Sequence, residues 1–250
     1  MVTRNRTNRS DQMQEMSRLT DAFVELDAGA PLSATLIDTV NAVCDRIEDS
    51  TVPTTLLVWL DGQSDEGDEQ ATELYPARLG VHTINRWERA LRRLERLPAL
   101  TVTALRGVCR GPALDLLLTT DLRIAAPGSA LAPAMVAGAT WPGMGLYRLA
   151  SALGPSRARR LALLGLDLPV ADAAHWGLVD EVAEDLAGAV TSAITQLRDR
   201  NRTELAIRRQ LLAEARSTTF EDATGTHLAA CDRTLRLVDL GAQVAAAVAA

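Results

Sequence analysis

A chain of 250 residues with 47% hydrophobic content is long enough for one sizeable core, and we expect no separate second domain. Its formal net charge of −6 argues against a nucleic-acid surface. Its 3 cysteines are widely spaced and form no C-x-x-C motif, so neither a disulfide framework nor a zinc site is indicated. No apolar run reaches the roughly 18 residues that a membrane span requires. We expect a cytoplasmic protein with no membrane segment and no metal.

The first third of the chain predicts an arm followed by strands and helices in alternation. Residues 1–17 are polar, which predicts a disordered arm. The stretch from Leu19 to Leu26 alternates as a strand does. Ser33 suits the N-cap of an amphipathic helix, and residues 54–60 are apolar enough for a buried strand. This alternation favours an α/β fold.

A polar, acidic loop and an amphipathic helix come next. The loop follows Leu60 and reads DGQSDEGDEQ. The stretch from His82 to Leu97 has apolar residues at helical spacing, and its arginines are expected on a solvated face. His82 is interpreted as a surface or capping residue rather than a base, and no second ligand is spaced to support a metal.

The most informative stretch covers residues 98–149. Thr101–Leu105 predicts a short strand that ends in a turn, because glycines and a proline follow it at once. Pro112 suits the first position of a helix, and the helix that follows is almost wholly apolar. Asp115 is its one charge. A second strand, Leu122–Ala126, then leads into a loop rich in glycine and proline.

The last third of the chain is mainly helical. Helices are predicted over Ser151–Leu164 and Val170–Trp176, and a strand over residues 177–179. Residues 201–249 are predicted to be helical except around two glycines, Gly225 and Gly241. The arginines of this part, among them Arg148, Arg157, Arg159 and Arg160, are interpreted as a solvated face.

Several motifs, in order, carry a family resemblance. The runs are ALRGVCRGPALDLLLTTD from Ala104, WPGMGLYRL from Trp141 and ADAAHWGLVDEV from Ala171. Together they resemble the crotonases, the enoyl-CoA hydratase/isomerase superfamily. The resemblance implies an α/β spiral of repeated ββα units over residues 18–200. It also implies a C-terminal helical region, 201–250, that builds the interface of a homo-oligomer, expected to be a trimer.

The resemblance points to Asp115 as the residue that carries chemistry. Hydratases of the family use two glutamates, and the corresponding positions here hold Asp115 and Met135. One carboxylate therefore remains. Concerted addition of water needs two groups, whereas proton abstraction beside a thioester, or loss of water from an activated alcohol, can proceed with one. The alternative is that Asp115 is structural and bonds amides of the turn.

The same resemblance implies an oxyanion hole and an acyl pocket. One thioester-binding amide corresponds to Gly67, unless that segment is only a solvated acidic loop. The second corresponds to Pro112, which has no N–H, so either the amide of Gly111 or that of Ala113 substitutes or the hole is defective. The residues predicted for the acyl pocket, which core packing explains equally well, are Met135, Trp141 and Met144.

These expectations lead to a functional hypothesis. The substrate is an acyl-CoA thioester, with coenzyme A entering as part of the substrate and no separate cofactor. Within the superfamily, the chain resembles the auxiliary crotonases of dihydroxyphenylglycine biosynthesis (DpgB type). That likeness implies dehydration or isomerisation of a polyketide-derived intermediate toward 3,5-dihydroxyphenylacetyl-CoA, beside a type III polyketide synthase and sister crotonases. The competing hypothesis is a non-catalytic crotonase-fold partner that stabilises the synthase or its intermediate, and a thioester hydrolase is a third.

Overall fold

The computed structural model describes residues 14, 16–52, 54–62, 74–215 and 217–248. The chain divides into two compact units, one ending at Arg202 and the other beginning at Thr203. The C-terminal region is predicted to begin at residue 201, close to this boundary. In the described ranges, no helix combines the length and the apolar character needed to cross a bilayer.

The first unit is built on a five-stranded parallel sheet with strand order β1-β2-β3-β5-β10. These strands are β1 Ala22–Asp27, β2 Thr54–Asp61, β3 Ala99–Arg106, β5 Leu122–Ala125 and β10 Glu181–Val182. A three-stranded sheet contains β4 Val108–Arg110, β6 Ala130–Ala132 and β9 Leu168–Pro169, and a hairpin contains β7 Met135–Val136 and β8 Ala139–Thr140.

Helices connect these strands and cover the large sheet. Those of the first unit are α1 Ala34–Glu48, α2 Gly80–Glu95, α3 Pro112–Leu117, α4 Met144–Leu164, α5 Val170–His175 and α6 Leu186–Arg198. The second unit is helical and contains α7 Arg202–Glu214, which starts at the boundary, and α8 Phe220–Val248. The prediction of an α/β fold with C-terminal helices is confirmed.

The central strand β2 shows why its sequence is apolar without alternation. Leu56, Val58 and Leu60 belong to one buried cluster, which includes residues of α1, α2 and α3. Leu57 and Trp59 belong to a second cluster, which includes residues of α6. Because successive side chains point to opposite faces, a strand covered on both faces is apolar at nearly every position.

Several local predictions are confirmed. The side chain of Ser33 caps α1 and accepts a hydrogen bond from the amide of Leu36 at 3.1 Å. Pro112 is the first residue of α3. The predicted strand at 54–60 is β2, and the predicted amphipathic helix from His82 corresponds to α2, which begins slightly earlier at Gly80.

The start of the chain requires a correction. Residues 16–19 are helical, so the strand predicted from Leu19 begins only at Ala22. Met16, which the prediction places in a disordered arm, is 2% exposed and packs in the second cluster with Trp59 and Leu186. The few apolar residues of this polar segment show no periodicity, and the burial of Met16 depends on the distant helix α6. Residues 1–13 lie outside the described ranges.

The predicted breaks near the C-terminus are also wrong. Helix α8 runs through both Gly225 and Gly241, and the break lies between α7 and α8 instead. The Thr219 hydroxyl accepts a hydrogen bond from the amide of Asp222 at 3.2 Å and donates one to its carboxylate at 2.7 Å. Such a cap fixes where a helix begins, whereas one glycine inside a long helix costs only about 1 kcal/mol.

Two boundaries in the middle of the chain differ from prediction as well. Helix α4 begins at Met144, seven residues before the predicted start, and contains a non-helical residue, Gly154, with φ 76°. The strand predicted at 177–179 lies slightly later, as β10. Parallel pairing with β5 fixes the position of β10, and the type of both elements was predicted correctly.

Candidate active site

Asp115 lies in the first turn of α3, directly after a sharp change of direction. Gly111, the residue before the helix, has φ 53°, a conformation that glycine adopts readily. The backbone amide of Asp115 donates to the carbonyl of Gly111 at 3.0 Å. The residue is 6% exposed, so the one charge of this apolar helix is buried.

A close approach of two glycines brings the chain to this turn. Gly107, at the end of β3, has φ 81°, and a β-carbon there would lie 2.0 Å from the carbonyl oxygen of Gly62. Gly62 follows β2, and its amide donates to Arg106 at 2.7 Å. Only residues without side chains allow the ends of β2 and β3 to meet in this way. After this close contact the chain continues into strand β4 and then into the turn before α3.

The partner of Asp115 is Tyr75, which no sequence motif marks. Its hydroxyl donates a hydrogen bond to Asp115 Oδ2 at 2.6 Å, and the residue is 4% exposed. Its ring stacks on Trp141 with 4.3 Å between centroids and 10° between planes. A carboxylate, a phenol and an indole, far apart in sequence, thus form one cluster.

A cavity of about 20 Å³ lies beside this cluster, with room for about one water molecule. Gly111 and Trp141, both predicted for the site, line it together with Asp115 and Tyr75. Gly145, in the first turn of α4, also lines it. The cavity is walled largely by apolar groups.

The surroundings of Asp115 raise its proton affinity. Burial raises the pKa of its carboxyl from 3.8 to about 6, against the hydrogen bond from Tyr75, which lowers it. The charge of Glu88 raises this pKa further, and that of Arg148 lowers it. The indole N–H of Trp87 also lowers the pKa, yet it makes no hydrogen bond of ordinary geometry with any described residue, so we assign it a weak role.

Arg148 does not lie on a solvated face as predicted. It is 9% exposed and forms ion pairs with Glu88 at 3.0 Å and Glu95 at 2.7 Å. Both partners lie on α2, more than fifty residues earlier in the chain. The pairs join α2 to α4 beside Asp115, and such buried charges persist only when they are paired.

The other predicted site residues are placed as follows. Gly67 lies outside the described residues. Ala113 is buried in the first turn of α3, where amides have no acceptor within the helix. Met135 and Met144 are 51% and 45% exposed and do not line the cavity. Their roles in thioester and acyl binding remain predictions. Within the described ranges, no three His, Cys, Asp or Glu residues are grouped to hold a metal ion.

Comparison with known proteins gives the family. The model of the enoyl-CoA hydratase/isomerase family matches residues 69–235. An Amycolatopsis orientalis protein named "Enoyl-CoA-hydratase" is 44% identical over 216 residues, which cover 86% of this chain and 96% of that protein. The 1,2-epoxyphenylacetyl-CoA isomerase of Escherichia coli K12 is 32% identical over 108 residues, which cover 43% of this chain and 41% of that one.

Solved structures share the fold. An enoyl-CoA hydratase from Bacillus anthracis superposes with a TM-score of 0.71 at 20% identity, over 88% of this chain and 91% of that one. An enoyl-CoA hydratase from Mycobacterium smegmatis gives 0.73 at 17% identity, over 85% and 87%. The expected crotonase-like fold is therefore confirmed. Given the extent of the sequence match, this chain belongs to the enoyl-CoA hydratase/isomerase family.

Proposed function

We propose that this protein is an enzyme that moves protons on an acyl-CoA thioester, with Asp115 as the proton-transfer group. The observation that carries the proposal is a buried carboxyl, with its pKa raised to about 6 by burial, in the wall of a cavity. A carboxyl with this pKa is mostly ionised at neutral pH and can still be protonated during turnover. Perturbed groups of this kind are typical of functional sites.

One carboxyl is sufficient for the reactions that we consider. In isomerisation, Asp115 would take a proton from one carbon beside the conjugated system and return it to another. In dehydration, it would take the proton from the carbon next to the thioester and deliver it to the leaving hydroxyl, which departs as water. Both sequences return Asp115 to its starting state. Concerted hydration, which shares acid and base duties between two groups, is less suited to a chain in which Met135 corresponds to the family's second glutamate.

The specific substrate that we propose is a polyketide-derived intermediate on the way to 3,5-dihydroxyphenylacetyl-CoA. Support comes from the WPGMGLYRL segment from Trp141 and the RGPALD segment from Arg110, which carry the narrower likeness. The Escherichia coli relative is named for a phenylacetyl-CoA derivative, which is compatible with an aryl thioester. We further propose that the enzyme acts beside a type III polyketide synthase.

The second candidate is a non-catalytic partner of such a synthase. Pro112 favours it, because a proline at the first position of α3 removes one oxyanion donor. Loss of one such donor costs roughly 3 to 4 kcal/mol of transition-state stabilisation. The amides of Gly111 and Ala113 remain the candidates to replace it.

Thioester turnover separates the two candidates. A panel of aryl and alkyl CoA thioesters is incubated with the wild type, with Asp115→Asn and with Asp38→Asn, whose side chain is 67% exposed on α1. We expect Asp115→Asn to lose about 100-fold or more in turnover and Asp38→Asn to match the wild type. The panel is repeated with the synthase present. A protein that raises product yield equally well as wild type and as Asp115→Asn would be a partner and not an enzyme.

A further inference from the structure

Tyr75 lies in the segment that precedes α2, and its side chain contacts Asp115 in the wall of the cavity. Its hydroxyl donates to Asp115 Oδ2 at 2.6 Å, while Oδ1 lies against Gly145. We propose that Tyr75 is a positioning residue, which holds the Asp115 carboxylate by one oxygen and leaves the other for proton transfer. This inference rests on the proposed function, in which Asp115 is the proton-transfer group.

The phenol is suited to this role because it donates to Asp115 and keeps the proton that it donates. Burial raises the pKa of Tyr75, and the neighbouring charge of Asp115 raises it further, so the hydroxyl keeps its proton at neutral pH. A hydrogen bond from a neutral donor to a carboxylate favours the ionised form. Tyr75 therefore offsets part of the effect of burial on Asp115 and keeps the carboxyl ready to accept a proton.

The geometry around the carboxylate fixes its orientation from both sides. The ring of Tyr75 stacks on the ring of Trp141, with 4.3 Å between centroids. This stacking holds the hydroxyl in one position. On the other side, the backbone at Gly145 comes so close to Oδ1 that a β-carbon would not fit. A carboxylate held between two fixed surfaces loses little freedom on the way to a reactive geometry.

The charged and titratable groups that face Asp115 come from three other elements. Glu88 on α2 raises its pKa, and Arg148 on α4 lowers it. Cys109 on β4 is fully buried, and burial raises the pKa of its thiol, so it is neutral. All three groups remain when Tyr75 becomes Phe, and so does an aromatic ring that can stack on Trp141. Tyr75→Phe therefore removes the hydroxyl alone.

The test measures the pKa of Asp115 in the free protein by carboxyl carbon-13 NMR, with Asp115→Asn used to assign the signal. Tyr75→Phe should raise this pKa by about 1 to 2 pH units, the size expected for loss of a hydrogen bond to a charged group. The matched control is Tyr147→Phe, the same change at a residue that is 61% exposed, which should leave the signal unmoved. An unchanged or lowered pKa in Tyr75→Phe would overturn the proposal.

Two further measurements test the contact between Tyr75 and Asp115 independently. Glu88→Gln should move the Asp115 pKa downward, opposite to Tyr75→Phe, since a raising charge is removed. In the wild type, the NMR chemical shift of the Tyr75 hydroxyl proton should follow the ionisation of Asp115 as the pH changes, and it should differ in Asp115→Asn. A chemical shift that does not respond to Asp115 would refute the proposal even if Tyr75→Phe did not fold. Because these measurements need no substrate, they can fail while Asp115 still proves essential for turnover, and the reverse also holds.

Discussion

Oxygen Oδ1 of Asp115 occupies the space that a side chain on residue 145 would need. A β-carbon on Gly145 would lie 2.2 Å from this oxygen and 3.4 Å from the carboxyl carbon. The first turn of α4 can approach α3 this closely only because glycine has no β-carbon. Gly143 is similarly constrained, since a β-carbon there would lie 2.6 Å from Nε1 of Trp141. The PGMG segment thus provides space for two residues of the site.

Gly145→Ala should therefore impair turnover without changing any chemical group. The methyl group forces the carboxylate or the turn to move, and displacement of a reacting group by about 1 Å can cost about 100-fold in rate. Turnover of any thioester that the wild type converts is the measurement. Gly225→Ala is the control, since a β-carbon there meets nothing within 4 Å. Equal turnover in Gly145→Ala and the wild type would show that the exact position of Asp115 is unimportant.

Burial of Asp115 predicts a cost to stability that depends on pH. Its pKa rises from 3.8 to about 6 on folding, so the native state retains a proton that the unfolded chain releases. Stability should accordingly fall as the pH rises through this window. The Asn side chain of Asp115→Asn cannot ionise. The free energy of unfolding of this variant, relative to that of the wild type, should therefore rise by about 3 kcal/mol between about pH 4 and pH 7.

Urea unfolding of both proteins at several pH values measures this difference. Asn keeps an oxygen that can accept the hydrogen bond from Tyr75, so the comparison isolates ionisation. Asp38→Asn, the same change at a position that is 67% exposed, is measured in parallel as the control. A gap between Asp115→Asn and wild type that stays constant across the window would mean that Asp115 titrates normally.

The path of the chain to Asp115 can be predicted from sequence because each step is local. A β-branched run, two glycines and Pro112 define a strand, a turn and a helix start within about fifteen residues. The position of Asp115 in the first turn follows from that register alone. Trp141 and Gly111 line the cavity beside Asp115, whereas Met135 and Met144, predicted for the acyl pocket, do not.

The contacts that tune Asp115 could not be predicted in this way. Tyr75 is 40 residues away in sequence and follows an acidic loop, so no period or motif connects the two. Arg148 lies 60 residues from Glu88, and an arginine in a helix is usually solvated. Both contacts depend on how α2 and the segment before it pack against α3 and α4.

Met16 should contribute to stability although a polar segment precedes it. It is 2% exposed and packs in the cluster that contains Trp59 and Leu186. Met16→Ala should lower the free energy of unfolding by roughly 2 to 5 kcal/mol, as is usual for a large buried apolar side chain. Leu163→Ala, at a position 79% exposed, should change it by less than about 0.5 kcal/mol. Similar denaturation midpoints for Met16→Ala and wild type would show that Met16 does not contribute to the core.

Helix α8 carries apolar residues that are exposed and regularly spaced. Leu228, Leu235 and Val238 are 63%, 64% and 63% exposed, and Cys231 between them is exposed as well. Their successive separations are three, four and three residues, the spacing of the seam of a coiled coil. We call these four residues the α8 seam. A row of this kind on a single chain indicates a surface that meets another protein surface.

We expect the α8 seam to pack in a homo-oligomer, with three copies as the expected number. Leu235→Glu places a charge in the centre of the seam, so it should lower the mass measured by light scattering at micromolar concentration toward that of one chain of 26.8 kDa. Arg236→Gln is the control on the same helix; its side chain is 79% exposed in an ion pair with Asp232, which contributes little. This variant should keep the mass of the wild type. A monomeric wild type, or a Leu235→Glu variant with unchanged mass, would show that the seam does not hold copies together.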